Sequence, residues 1–116
     1  MNKIERAHIL GRIGEEDVIS FAQKIWFNQQ LVATKIASEA LNIISETYQA
    51  NPTFFSGKSA KGIVGGLFYL LGHQYNSSKT QREIARNLNA TEVTIRASYR
   101  DWVKPSQSYF RHGKKE

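Results

Sequence analysis

The sequence predicts an all-α domain of five helices, the third at its centre and the last two forming a helix-turn-helix. Three observations lead there. Apolar residues recur at i, i+3 and i+4 along several segments, while no segment sustains an alternation of period two. The stretch from Gly62 to Leu71 is apolar nearly all round, as suits a helix enclosed by others. Toward the C-terminus, two short helical segments each follow a capping threonine and are separated by a three-residue turn.

The first helix is expected to begin at Glu15-Glu16-Asp17, whose acids suit the positive end of a helix dipole. It would bury Val18, Phe21, Ala22 and Ile25, with Trp26 flanking. The second runs from about Leu31 to Tyr48, with Ile36, Ala37, Ala40, Leu41 and Ile44 on one face. Asn51-Pro52-Thr53 and Ser56-Gly57 then break the chain, and both prolines, Pro52 and Pro105, fall outside the predicted helices. The third helix starts after Ser59. Gly65 and Gly66 each cost it about 0.8–1 kcal/mol relative to alanine, and close approach by a neighbouring helix is the natural compensation.

A loop from Tyr75 to Lys79 leads to the fourth helix, opened by the capping box Thr80-Gln81-Arg82-Glu83. It should stop near Leu88-Asn89, with Asn89 in the left-handed conformation that a tight turn demands. Thr91 caps the fifth helix, Glu92 to about Val103, and Pro105 ends it. In the helix-turn-helix, Ile84 and Leu88 face the core, Ala85 is the small residue at the crossing, and Ile95 returns from the second helix. Ile95, Tyr99, Trp102 and Val103 form the inward stripe of the fifth helix. Val93, Arg96, Ala97 and Arg100 form the outward one.

A length of 116 residues and 13.2 kDa, 41% hydrophobic and 22% charged, suits one ordinary domain. We expect an unassigned N-terminal segment over 1–14, the helical domain over 15–104 with its helix-turn-helix at about 80–103, and a basic tail over 105–116. The absence of cysteine excludes disulfides, Cys-based zinc sites and thiol nucleophiles. The first residues lead into no secretory h-region, and the longest mostly apolar run, Ile63 to Gly72, is about half a membrane span. Neither secretion nor membrane insertion is expected.

Sixteen Lys and Arg stand against ten Asp and Glu, a net charge of +6. Residues 1–57 carry five basic and six acidic side chains, and residues 58–116 carry eleven and four. Such asymmetry concentrates the positive field on one half of a small domain, as in polyanion binders. A basic protein without such a ligand is the plain alternative. The outward stripe of the fifth helix has what a major groove requires: Arg pairs bidentately with guanine, and Val and Ala contact a thymine methyl. A helical hairpin with a solvated basic face would share the spacing.

Other signals are weaker. Ser56-Gly57-Lys58-Ser59 matches the end of a phosphate-binding loop, but Pro52 stands at the earlier glycine position. His8, His73 and His112 lack ligand spacing. Glu15, Glu16 and Asp17 point in different directions around a helix. Asn76-Ser77-Ser78 and Asn89-Ala90-Thr91 match the glycosylation sequon in a chain with no export signal. Tyr109-Phe110-Arg111 could stack on bases or pack on the core edge; Trp26 and Phe27, if exposed, could meet a protein. With no nucleophile, metal cluster or acid–base pair in view, no enzyme activity, cofactor or small-molecule substrate is expected.

Lys58-Ser59-Ala60-Lys61-Gly62-Ile63, Thr80-Gln81-Arg82-Glu83-Ile84-Ala85 and Thr91-Glu92-Val93-Thr94-Ile95-Arg96-Ala97-Ser98-Tyr99-Arg100 together resemble the second cyclin-type repeat of transcription initiation factor TFIIB and its archaeal counterpart TFB. The likeness runs in order from about Asp17 to Tyr109. It implies a five-helix cyclin box whose helix-turn-helix binds double-stranded promoter DNA at the B-recognition element, beside TATA-binding protein. By matched position, Val93 and Arg96 would face base edges, with Ala97 on the same stripe. Gly57, Lys58, Ser59, Arg82, Thr94 and Arg100 would lie near phosphates. It also implies a nuclear location in a eukaryote, or a cytoplasmic, nucleoid-associated one in an archaeon.

The chain departs from the family pattern in several places. No cysteine could hold the zinc of the family's N-terminal ribbon, and the reader segment and first repeat are not matched. Gly65-Gly66 stands where alanines are usual, and Asn89 where glycine is usual. A domain fragment or a free-standing relative is therefore expected, without polymerase recruitment. A cyclin box that binds partner proteins rather than DNA is the competing reading.

Overall fold

The structure, a computed structural model, describes residue 11 and residues 13–104. It contains α1 (Glu15–Ile25), α2 (Gln30–Ala50), a 3-10 turn (Pro52–Phe55), α3 (Ala60–Gln74), α4 (Gln81–Leu88) and α5 (Glu92–Trp102), with no strand among the described residues. The five-helix, all-α architecture is the predicted one.

α1 begins where its three acids meet the helix dipole, and the Asp17 carboxylate accepts from the Gly14 N–H at 2.9 Å. Val18, Ala22 and Ile25 are buried, whereas Phe21 is only half-buried. Trp26, expected to flank this helix, is fully enclosed. Its ring stands edge-on to Phe68 at 5.7 Å and its Nε1–H donates to the Ser77 carbonyl at 2.8 Å, which ties the α1–α2 corner to the α3–α4 loop. That burial removes Trp26 as a protein contact and leaves Phe27, 71% exposed, on the surface.

α2 is longer than the apolar pattern indicates. Its buried face is Ala33, Ile36, Ala37, Ala40, Ile43, Ile44 and Thr47, and Leu41 is half-buried. The buried face is wider than expected and takes in Ile43, with Leu41 packed at its edge, because α2 meets both α1 and α3. The Asn51-Pro52 break forms a 3-10 turn, in which Pro52 needs no backbone donor. The turn delivers Phe55 to the core and sets Phe54 4.5 Å from Trp102.

α3 is the central helix. Every residue from Gly62 to Gly72 except Tyr69 is buried, and Ser59 caps its start by accepting from the Gly62 N–H at 3.0 Å. Gly65 and Gly66 are the crossing point with the helix-turn-helix. A Cβ on Gly65 would press on the ends of Ile95 and Leu88, and one on Gly66 would lie 2.8 Å from both Ser98 Cβ and the Tyr99 backbone nitrogen. The expected close approach is therefore real, and α5 is the helix that makes it.

The helix-turn-helix follows its sequence signals. Thr80 Oγ1 accepts from the Glu83 N–H while Glu83 Oε1 accepts from the Thr80 N–H, both at 3.0 Å. Asn89 closes α4 at φ 56°, in the left-handed region. Thr91 caps α5 by accepting from the Thr94 N–H at 3.1 Å. Ile84, Ala85, Leu88 and Ile95 are all buried. Trp102, fully buried, donates to the Ile63 carbonyl at 3.1 Å and pins the far end of α5 to α3. The inward stripe is corrected in detail. Ser98 is buried, whereas Tyr99 and Val103 lie half-buried at its edge, since α3 approaches α5 on the Ser98 side.

Candidate nucleic-acid interface

With Ile95, Ser98 and Trp102 committed to α3, the remaining faces of α5 are fixed by helical geometry. Val93, Ala97 and Arg100 face away from the domain, and Val93 is 66% exposed. On one flank Glu92 and Arg96, one turn apart, meet the first turn of α4. On the other, Thr94 and Asp101 meet the start of α3.

The α3 flank gathers residues far apart in sequence. Gly57, Lys58, Ser59 and Gly62 line one groove of about 230 Å³ with Thr94, Ala97 and Asp101. Gly57 turns the chain into it at φ +73°, a conformation natural to glycine. Lys58 reaches across to Asp101 at 3.6 Å, and its ammonium lies 4.6 Å from the centre of the Phe54 ring. Asp101 also meets Lys104 at 3.3 Å. Gly62 matters here because a Cβ would come within 3.0 Å of the Thr94 methyl. The Thr94 hydroxyl pairs with that of Thr91 at 2.9 Å.

The α4 flank is held by two cross-links. Arg82 Nε donates to Glu92 Oε2 at 3.2 Å, and Arg96 Nε donates to Gln81 Oε1 at 3.2 Å. Arg96 is consequently half-buried at the margin of the outward stripe, and Arg100 is exposed. The same first turn carries Glu83, whose carboxyl is held below the usual glutamate range. The Thr80 backbone N–H is the main cause, with Lys79 and Arg86 helping against partial burial.

Five of the nine residues singled out, Gly57, Lys58, Ser59, Thr94 and Ala97, thus line one groove. Val93 and Arg100 project beside it. Arg82 and Arg96 stand apart from the groove, on the α4 side of α5. The partners Gln81, Glu92 and Asp101 were not read from the sequence. Spacing along α5 marks only shared faces, Thr94 with Asp101 seven residues apart and Glu92 with Arg96 four apart, and does not name the partners on the other helices.

The weaker signals find ordinary places. The Ser56–Ser59 loop follows the 3-10 turn rather than a strand. The His73 ring nitrogen Nδ1 meets the Tyr69 carbonyl of its own helix at 2.9 Å. Among the described residues no group of three or more His, Asp or Glu could hold a metal ion, and no helix is long and apolar enough to cross a membrane. His8, His112, the 105–116 tail and Tyr109-Phe110-Arg111 lie outside the described residues.

Comparison with known proteins gives a consistent picture. The family model "Transcription factor TFIIB repeat" matches residues 13–105. The chain is 36% identical over 73 residues to transcription initiation factor IIB 1 of Thermococcus kodakarensis, covering 63% of this chain and 24% of that protein. It is 34% identical, with the same coverage of each, to transcription initiation factor IIB of Pyrococcus horikoshii. It is 33% identical over 84 residues to transcription initiation factor IIB 3 of Halobacterium salinarum, covering 72% and 24%. The chain spans about a quarter of the length of these curated relatives. No solved structure gives a significant match.

Proposed function

The chain belongs to the transcription factor TFIIB repeat family, and from that premise we propose that it is a sequence-specific module for double-stranded promoter DNA. In this role the domain over 15–104 lays α5 in the major groove at a B-recognition element, beside TATA-binding protein. Val93, Arg96 and Ala97 address base edges. Gly57, Lys58, Ser59, Arg82, Thr94 and Arg100 address the phosphates on either side. No catalytic step, cofactor or small-molecule substrate enters this role. It is exercised where promoter DNA is, in the cytoplasm and nucleoid of an archaeal cell or the nucleus of a eukaryotic one.

The observation that carries the proposal is the groove shared by Gly57, Lys58, Ser59, Thr94 and Ala97. It sets a capped helix start and a basic side chain beside the exposed stripe of α5. A phosphate needs backbone donors and a cation, and a base edge needs a rigid helix that can approach closely. Both requirements meet on this side of the molecule. The nucleic-acid role is favoured over a purely protein-binding one because a protein-binding helical scaffold has no need of this coincidence. Phe27 and Leu31, 71% and 75% exposed at the α1–α2 corner, favour an additional protein contact.

Fluorescence anisotropy with a duplex carrying a B-recognition element and a TATA box, with and without TATA-binding protein, tests the proposal. Binding that prefers this duplex to a scrambled one, and tightens with TATA-binding protein, supports it. Absence of duplex binding at low salt under both conditions rejects it in favour of the protein-interaction reading.

A further inference from the structure

We propose that Gln81 is a specificity-determining positioning residue: it holds the Arg96 guanidinium by Nε and so aims its terminal nitrogens at a guanine edge. The proposal rests on the DNA-binding role given above and concerns how that role is made selective.

Gln81 is the first residue of α4, set in place by the Thr80–Glu83 capping box immediately around it. Its side-chain oxygen accepts from Arg96 Nε at 3.2 Å, across the turn of the helix-turn-helix. The orientation of the amide is dictated by its partner. Guanidinium only donates, so the oxygen of Gln81 must face it. Of the five guanidinium N–H donors, this bond uses one and leaves the four on the terminal nitrogens. Those four form the planar fork that pairs with O6 and N7 of guanine. An unrestrained arginine loses rotamer freedom when it docks, whereas one already held by Nε has lost part of it beforehand.

The neighbouring cross-link adds to this. Arg82 to Glu92, at 3.2 Å, joins the next residue of α4 to the residue one turn before Arg96 on α5. The two bonds together fix the spacing and rotation of α5 against the first turn of α4.

The test uses the full chain and two variants, Gln81→Met, which keeps length without an acceptor, and Gln81→Glu, which keeps the acceptor. The preferred duplex is selected by the parent from a random-sequence pool, and its guanines are then permuted one at a time. In Gln81→Met the preference for guanine at one position should fall about twofold to tenfold, the range expected for ordering one long side chain. Binding to scrambled duplex and the melting temperature should stay near the parent's. Gln81→Glu should keep the guanine preference while weakening binding to every duplex, because it adds a negative charge near phosphates. In the DNA-free protein, the Arg96 Nε–H should exchange slowly with water in the parent and in Gln81→Glu, and quickly in Gln81→Met.

A parent that discriminates, with Gln81→Met discriminating equally, overturns the role of Gln81 alone. Fast exchange of Arg96 Nε–H in the parent overturns it too. A parent that binds all duplexes alike overturns the DNA-reading role itself, and this one with it.

Discussion

Gly66 and Ser98 face each other at the crossing of α3 and α5, so closely that a methyl group on Gly66 would lie 2.8 Å from Ser98 Cβ. The same methyl would lie 2.8 Å from the Tyr99 backbone nitrogen, which cannot rotate away. This contact sets the distance at which α5 is carried on the central helix. Gly66→Ala gains about 0.8–1 kcal/mol of helix propensity but overpacks the crossing, at a cost of about 1–3 kcal/mol or more. It should lower the melting temperature. Gly65→Ala, whose new methyl meets the movable ends of Ile95 and Leu88, should be the milder of the two. Thermal melts of both variants decide, and a Gly66→Ala protein more stable than the parent would show that α5 is not held against α3 in this way.

Leu88 and Ile95, both essentially inaccessible to solvent, join the two helices of the motif to α3. Truncating either to alanine should cost about 2–5 kcal/mol in urea unfolding. A variant that unfolds like the parent would mean that the motif packs with another face.

Glu83 gives a pH dependence of known sign. Its folded pKa is lowered, chiefly by the Thr80 N–H. Its contribution is therefore complete above the unfolded value of about 4.3 and is lost as pH falls through the lower folded value. In the variant Glu83→Gln the side-chain amide oxygen can fill the same box without titrating. Melting curves from about pH 5 to about pH 3 should show the parent losing stability faster than Glu83→Gln, since only the parent must protonate this carboxylate. Parallel losses would show that the box does not titrate.

These elements also mark how far the sequence could be read. The Thr80–Glu83 box, the Asn89 turn and the Thr91 cap are local chemistry, with donor and acceptor three residues apart, and the sequence displayed them directly. The Gly65-Gly66 approach was legible because two glycines inside an apolar helix need a compensating neighbour. The burial of Ser98 was not, because the packing of α5 on glycine lets a small polar residue occupy the closest point while Tyr99 moves to the edge. Nor were Gln81–Arg96 and Lys58–Asp101 visible. They join residues 15 and 43 positions apart, and their meeting depends on how α5 is rotated against two other helices.

Asp101 holds Lys58 and Lys104 in internal ion pairs. Asp101→Asn should release both and strengthen binding to any duplex by up to about fivefold, in line with the worth of exposed ion pairs. The gain should shrink as salt is raised. For the parent, the phosphate contacts proposed for Lys58, Arg82 and Arg100 should give a log–log salt slope of about −3. Titrations at several salt concentrations measure both quantities. An Asp101→Asn chain that binds more weakly would show that the carboxylate serves the interface rather than competing with it.

Arg96 and Arg100 sit one turn apart on α5, one bound to Gln81 and the other exposed, and comparing them tests most directly that α5 reads DNA. The measurement is the affinity of Arg96→Ala and Arg100→Ala for preferred and scrambled duplexes at two salt concentrations. Arg96→Ala should lose about 1–3 kcal/mol on the preferred duplex and little on the scrambled one. Arg100→Ala should weaken both alike and reduce the steepness of the salt slope by about one unit. Equal losses on both duplexes for Arg96→Ala, or no loss for either variant, would contradict base reading by α5.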